Sequence, residues 1–152
     1  MKERSVTHAT FTIERSYPKP RQRVFAALSD PAQKRRWFAD DDKEFQVEKF
    51  EMDFRVGGIE RSSFLVKGME CVNDTVYLDI LPDRRIVFAY TMTLAGKRFS
   101  SSQATFELAP AEKGTDLIFT EQSAFFEGAD GLQMRQEGWT KLLESLAREV
   151  AS

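Results

Sequence analysis

The chain has 152 residues, 41% of them hydrophobic and 30% charged, with a net charge of −2. One core can be filled at this length, so a single domain over residues 1–152 is expected; no run approaches the roughly 18 apolar residues of a membrane span, and the balanced charge supplies no positive field to collect nucleic acid. The polar start at Met1-Lys2-Glu3-Arg4-Ser5 has no apolar leader segment, and Cys71 has no second cysteine to pair with, so a reducing, cytoplasmic setting is expected.

Alternation of Ala9, Phe11, Ile13 and Arg15 with polar neighbours predicts a first strand from Thr7 to Ser16, stopped by Pro18 and Pro20. Val24, Phe25 and Leu28 then form the stripe of a short helix that Pro20 opens. Asp30-Pro31-Ala32-Gln33 reads as a second helix start, with Asp30 as N-cap, Pro31 in the first position and Gln33 placed to return a hydrogen bond. That helix runs to about Phe38. The basic residues Lys19, Arg21, Arg23, Lys34, Arg35 and Arg36, and the acidic run Asp40 to Asp42, read as solvated helix faces and a polar loop.

The middle of the chain reads as an antiparallel meander: Phe45 to Arg55, Ile59 to Val66, Met69 to Leu81, Arg85 to Thr93, Phe99 to Leu108 and Thr115 to Ser123. Gly57-Gly58 is the strongest turn signal, because adjacent glycines supply the positive φ angles of a tight hairpin. Ile86, Phe88, Tyr90 and Met92 share one strand face, as do Ala104, Phe106 and Leu108 on the next, which makes that face the interior. From about Asp130 to Val150 the spacing becomes helical, with Leu132, Trp139, Leu142, Leu143, Leu146 and Val150 on one side. Gly138 inside this helix costs roughly 1 kcal/mol relative to alanine, and close approach of sheet or loop is the expected compensation.

Strand, two short helices, meander and long amphipathic helix make the order of a helix-grip. Pro20 to Leu28 followed by Asp30-Pro31, Arg36-Trp37-Phe38, Asp53 to Gly58, Gly114 to Leu117, and Gly138-Trp139 with Leu142 and Leu146 together resemble the START-like superfamily. The resemblance is to the branch named after the C-terminal domain of the heat-shock-protein ATPase activator. It implies an α+β fold in which a curved antiparallel sheet of about seven strands and the C-terminal helix enclose a cavity. The superfamily holds lipid carriers, hormone receptors, aromatases and cyclases. A small hydrophobic molecule, lipid or other, is the partner this implies, with Phe54, Phe88, Tyr90, Phe106, Phe119, Glu121, Arg135 and Trp139 as cavity candidates. Thirteen phenylalanines are enough to line such a space, and equally enough to fill it.

Glu121 shares strand parity with Leu117 and Phe119, and Arg135 lies four residues before Trp139. The two either form a buried ion pair that orients a ligand, with Glu121 as a candidate acid or base, or sit at the rim in water. Tyr90 and Trp139 bring an O–H and an N–H to the same region. Glu60 and Arg61 read as an exposed hairpin, and Asp53 and Arg55 as a pair bridging a turn. With His8 as the single imidazole and Cys71 as the single thiol, no metal or cofactor is expected, and no nucleophile elbow, phosphate loop or dinucleotide fingerprint occurs. A carrier or sensor is the leading expectation and a cyclase-, aromatase- or hydrolase-type enzyme the alternative. A chaperone-associated module is the weakest reading, because the eukaryotic activators carry an additional N-terminal domain for which this sequence has no room. Edge strands and exposed aromatics leave room for a homodimer.

Overall fold

The computed structural model describes residues 4–39 and 45–152, and the acidic run at Asp40 to Asp42 lies outside them. The strands are β1 (Thr7–Tyr17), β2 (Phe45–Met52), β3 (Ile59–Val66), β4 (Met69–Leu81), β5 (Arg85–Leu94), β6 (Lys97–Ala111) and β7 (Gly114–Phe125). The helices are α1 (Arg21–Ser29), α2 (Pro31–Phe38) and α3 (Gly131–Ala151). One antiparallel sheet runs in the order β1-β7-β6-β5-β4-β3-β2, so the first strand closes onto the last and the meander fans out to β2 at the far edge. Extra residues interrupt the register in β2 between Val47 and Lys49, in β4 between Tyr77 and Asp79, and opposite Met92 and Thr93. Such bulges bend and twist a strand, and the sheet curves around α3. This is the predicted α+β helix-grip.

The ends of α2 follow the sequence closely: Asp30 accepts from the Gln33 backbone N–H at 3.0 Å and Pro31 occupies the first turn. Gln33 does not return the bond. Its side-chain oxygen accepts instead from Arg23 at 2.7 Å, tying α1 to α2. Arg36 grips the buried Glu149 carboxylate through two bonds of 3.0 and 2.9 Å, and Arg23 donates to the Glu149 carbonyl at 2.6 Å. The C-terminal end of α3 is thereby pinned to both short helices.

The turn before β3 differs from a simple two-glycine hairpin. β2 ends at Met52 rather than Arg55, and only Gly57 has a positive φ, at 83°. Gly58 is required for another reason: a Cβ there would stand 2.0 Å from the Asp53 carbonyl oxygen. Asp53 and Arg55 form the expected exposed pair at 2.8 Å. On α3, Leu132 is exposed and leaves the predicted stripe to Trp139, Leu143, Leu146 and Val150, which are buried. Gly138 also departs from expectation, since nothing lies within 4 Å of where its Cβ would be. No close approach compensates it, so Gly138→Ala will stabilise the protein by about 1 kcal/mol and raise the thermal midpoint by about 2–4 °C, read by calorimetry.

Candidate functional site

Cross-strand partners share a face, so the register writes out the interior as rows crossing the sheet. Ile86, Phe106, Phe119 and Ile13 form an apolar row, and Tyr77, Phe88, Ala104, Glu121 and Phe11 form the next. Then come Met52, Glu60, Thr75, Tyr90, Ser102 and Ser123, and finally Phe50, Ser62, Asn73, Met92, Ser100 and Phe125. The concave face therefore grades from apolar to polar along the strands. α3 lies along this gradient: the Leu143 carbonyl receives the Tyr17 hydroxyl at 3.0 Å, while Arg135 reaches Ser100 on the last row at 2.8 Å.

Trp139 sits at the middle of the gradient. Its ring centroid is 4.2 Å from that of Phe119, 6.0 Å from Phe106 and 6.4 Å from Phe88. Four of the predicted cavity residues thus pack against one another, and this part of the interior is filled. Phe54 belongs to a different group, half-buried against Phe25 and Tyr77.

Beside Trp139, the polar candidates meet in one buried cluster, and the reading that placed Glu121 and Arg135 at the rim is corrected. Glu121 is 0% exposed, and the Arg135 side chain is 5% exposed. Glu121 accepts from the Tyr90 hydroxyl at 2.5 Å and from Ser123 at 2.6 Å. Tyr90 in turn receives the Trp139 indole N–H and an Arg135 N–H, each at 3.1 Å. The Arg135–Glu121 contact is the longer one at 3.4 Å, because Asp130 holds the guanidinium in a two-pronged grip at 2.8 and 2.9 Å. That engagement explains why Asp130, at the N-cap of α3, makes no side-chain capping bond. Burial pushes the Tyr90 phenol well above its usual range, and the Glu121 carboxylate pushes it further. Burial by itself would lower Arg135, but the oxygens of Tyr90, Asp130 and Glu121 outweigh it and hold the guanidinium firmly charged.

A second buried cluster was not anticipated. Glu60 is 2% exposed rather than lying on an open hairpin, and Lys34 turns inward rather than joining a solvated helix face. Lys34 Nζ donates to Glu60 at 2.7 Å, Tyr77 donates to the same oxygen, and the ammonium lies 4.7 Å from the Phe38 ring centroid. Burial, and then Glu60, raise the Tyr77 phenol far beyond its ordinary value. The sequence held no signal for this cluster, because both faces of β4 mix polar and apolar residues and only pairing with β5 decides which faces in. Arg61 does lie outside, paired with Asp74 at 3.3 Å.

On the last row, Ser62 Oγ is buried and has no hydrogen-bond partner among the described residues. Its cross-strand neighbour Asn73 accepts from Thr75 at 3.3 Å through its oxygen, and the Asn73 amide nitrogen makes no hydrogen bond among the described residues. Around them the inward-facing Phe50 and Met92 are only half-buried, as is Phe38 on α2. Cys71 is buried nearby, and burial pushes its thiol up to about 11, so it is no nucleophile near neutral pH. Two surface depressions lie elsewhere, one on the convex face around His8 and Gln122, the other beside Phe125 and Phe126.

A long C-terminal helix laid across the concave face of a curved antiparallel sheet, with two short helices at one end, defines a START-like helix-grip protein. Within that class the chain belongs to the family described as activator of Hsp90 ATPase homolog 1-like protein, whose model matches residues 18–151. It is similar to a putative uncharacterized protein from Rhizobium leguminosarum, with 38% identity, a TM-score of 0.92 and 99% of each chain covered. It is also similar to the Mll3558 protein from Rhizobium loti, with 48% identity, a TM-score of 0.88, and 96% of this chain and 99% of that one covered. An AHSA1 protein from Silicibacter pomeroyi shares the fold at 23% identity and a TM-score of 0.71, covering 94% of this chain and 98% of that one. No curated protein matches the chain. Among the described residues no helix is long and apolar enough to cross a membrane, and no group of His, Cys, Asp and Glu is placed to hold a metal ion.

Proposed function

We propose that the protein binds a small, largely apolar molecule at the polar end of the concave face, between α2, the first turns of α3 and the floor of β3 to β5, and acts as a carrier or sensor. One observation carries this reading: a buried Ser62 hydroxyl without a partner among the described residues, beside inward-facing apolar side chains that remain half-exposed. Leaving a buried hydroxyl unmatched costs about 1–3 kcal/mol, and apolar side chains turned inward yet still wet gain from being covered. A ligand with an apolar body and one polar group answers both. Binding sites of this kind are mostly apolar with a few placed polar groups.

An acid–base role for Glu121 has less to support it, since both carboxylate oxygens already accept from Tyr90, Ser123 and Arg135. A chaperone-directed role drew on the basic early helices, and there Lys34 and Arg36 are engaged by Glu60 and Glu149.

The test is thermal denaturation against a library of lipids and aromatic metabolites. A binder at a hundredfold excess over its Kd stabilises by about 2.7 kcal/mol, and Met92→Trp, which sets a larger ring on the row of Ser62 and Asn73, should abolish that gain. Absence of any stabilising compound would overturn the proposal.

A further inference from the structure

We infer that the ligand's polar group is neutral, a hydroxyl or carbonyl held by Ser62 and Asn73, and not an anion held by the buried cations; this rests on the ligand-binding reading above. Arg135 has no capacity left. All three Arg135 nitrogens are engaged, Nε and one terminal nitrogen by Asp130, the second terminal nitrogen by Tyr90, Ser102 and Glu121. Lys34 makes one hydrogen bond, to Glu60, and its ammonium is otherwise surrounded by the rings of Phe38, Tyr77 and Phe88, which leave an anion little room beside it.

The charge balance points the same way. Among the described residues of these two clusters, three carboxylates (Glu60, Glu121 and Asp130) face two cations (Lys34 and Arg135). An incoming carboxylate or phosphate would add to an existing negative excess where water screens poorly, and such an uncompensated buried charge is strongly disfavoured. A neutral group meets no such penalty.

Neutral hydrogen-bonding groups lie together at this end of the face. Ser62 and Asn73 are directly opposed in the β3–β4 register, which sets their Cβ atoms about 5 Å apart on the same face. An oxygen between them accepts from the Asn73 amide and either accepts from or donates to the Ser62 hydroxyl. A ligand alcohol, ketone or amide supplies that oxygen without bringing charge.

Two matched probe series separate the outcomes: naphthalene, 2-naphthol and 2-naphthoate, and dodecane, dodecanol and dodecanoate. At neutral pH, at least one alcohol should bind best of its series, with its carboxylate weaker by roughly tenfold or more. Ser62→Ala should weaken that alcohol about fivefold to tenfold, leave the hydrocarbon unchanged, and keep or raise the thermal midpoint of the empty protein. A merely structural serine would instead lower that midpoint. A carboxylate that binds as tightly as its alcohol overturns this inference while leaving ligand binding intact, as does a hydrocarbon that equals the alcohol. If none of the probes stabilises the protein, the ligand-binding reading fails and this inference with it.

Discussion

Raising the pH beyond 10 should unfold this protein over a narrow range, with phenolate absorbance and loss of secondary structure appearing together. Tyr17, Tyr77 and Tyr90 are all of its tyrosines, and all are buried. Burial is the first cause that raises each phenol above its ordinary value, with Glu60 and Glu121 adding to it for Tyr77 and Tyr90. A folded-state pKa above the unfolded one means that the native chain keeps protons the unfolded chain gives up. The associated stability is complete below the unfolded value near 10 and drains away as the pH climbs beyond it. Each tyrosine contributes a slope of about 1.4 kcal/mol per pH unit, so three acting together give about 4. Against a total stability of about 5–15 kcal/mol, a few pH units are enough.

Absorbance at 295 nm and far-ultraviolet circular dichroism, followed through one titration, check this directly. Tyr17→Phe should cut the slope by about a third, since the Tyr17 hydroxyl has a single partner among the described residues, the Leu143 carbonyl. Phenols that ionise near 10 while the dichroism is unchanged would show that the tyrosines are reached by solvent in the native fold.

Arg135→Met should be among the most damaging single substitutions, at about 3–5 kcal/mol, because it removes the cation from a buried network and leaves Glu121 charged inside it. Glu121 is fully buried, and its remaining partners are the Tyr90 and Ser123 hydroxyls. Asp130 loses a two-pronged partner at the start of α3 as well. The double change Arg135→Met/Glu121→Gln should recover much of the loss, since a neutral amide can keep the Tyr90 and Ser123 contacts without a buried charge. Urea denaturation of the two single variants and the double variant gives the coupling. Equal, additive losses would mean that the arginine acts only through Asp130 and its packing.

The fold could be read from the chain because its signals are local. Period-two alternation marked the first strand, strand-like runs between turn residues marked the other six, Asp30-Pro31 marked the start of α2, and helical spacing marked α3 to within a residue or two. Boundaries slipped where hydrogen bonding outran the side-chain pattern, as in β6, which runs from Lys97 to Ala111 rather than from Phe99 to Leu108. The site was only half legible. Parity on β7 and helical spacing on α3 brought Glu121, Tyr90, Arg135 and Trp139 together as candidates, but whether they met water or one another depended on the Asp130 grip and on how deeply α3 sits.

Lys34, Glu60 and Tyr77 were invisible for a related reason. They lie on three separate elements, and the Lys34–Glu60 contact joins α2 to β3. A basic residue in a basic run and a glutamate next to a turn carry no sign that they will be buried together. What the chain's own pattern determined was the list of elements, their order and their apolar faces, because each follows from periodicity, turn chemistry and capping within a few residues. What only the tertiary structure decided was which polar residues are enclosed, how they pair, and that Ser62 has no partner among the described residues. Those outcomes depend on sheet register and helix depth, which are settled by contacts between residues far apart in the chain.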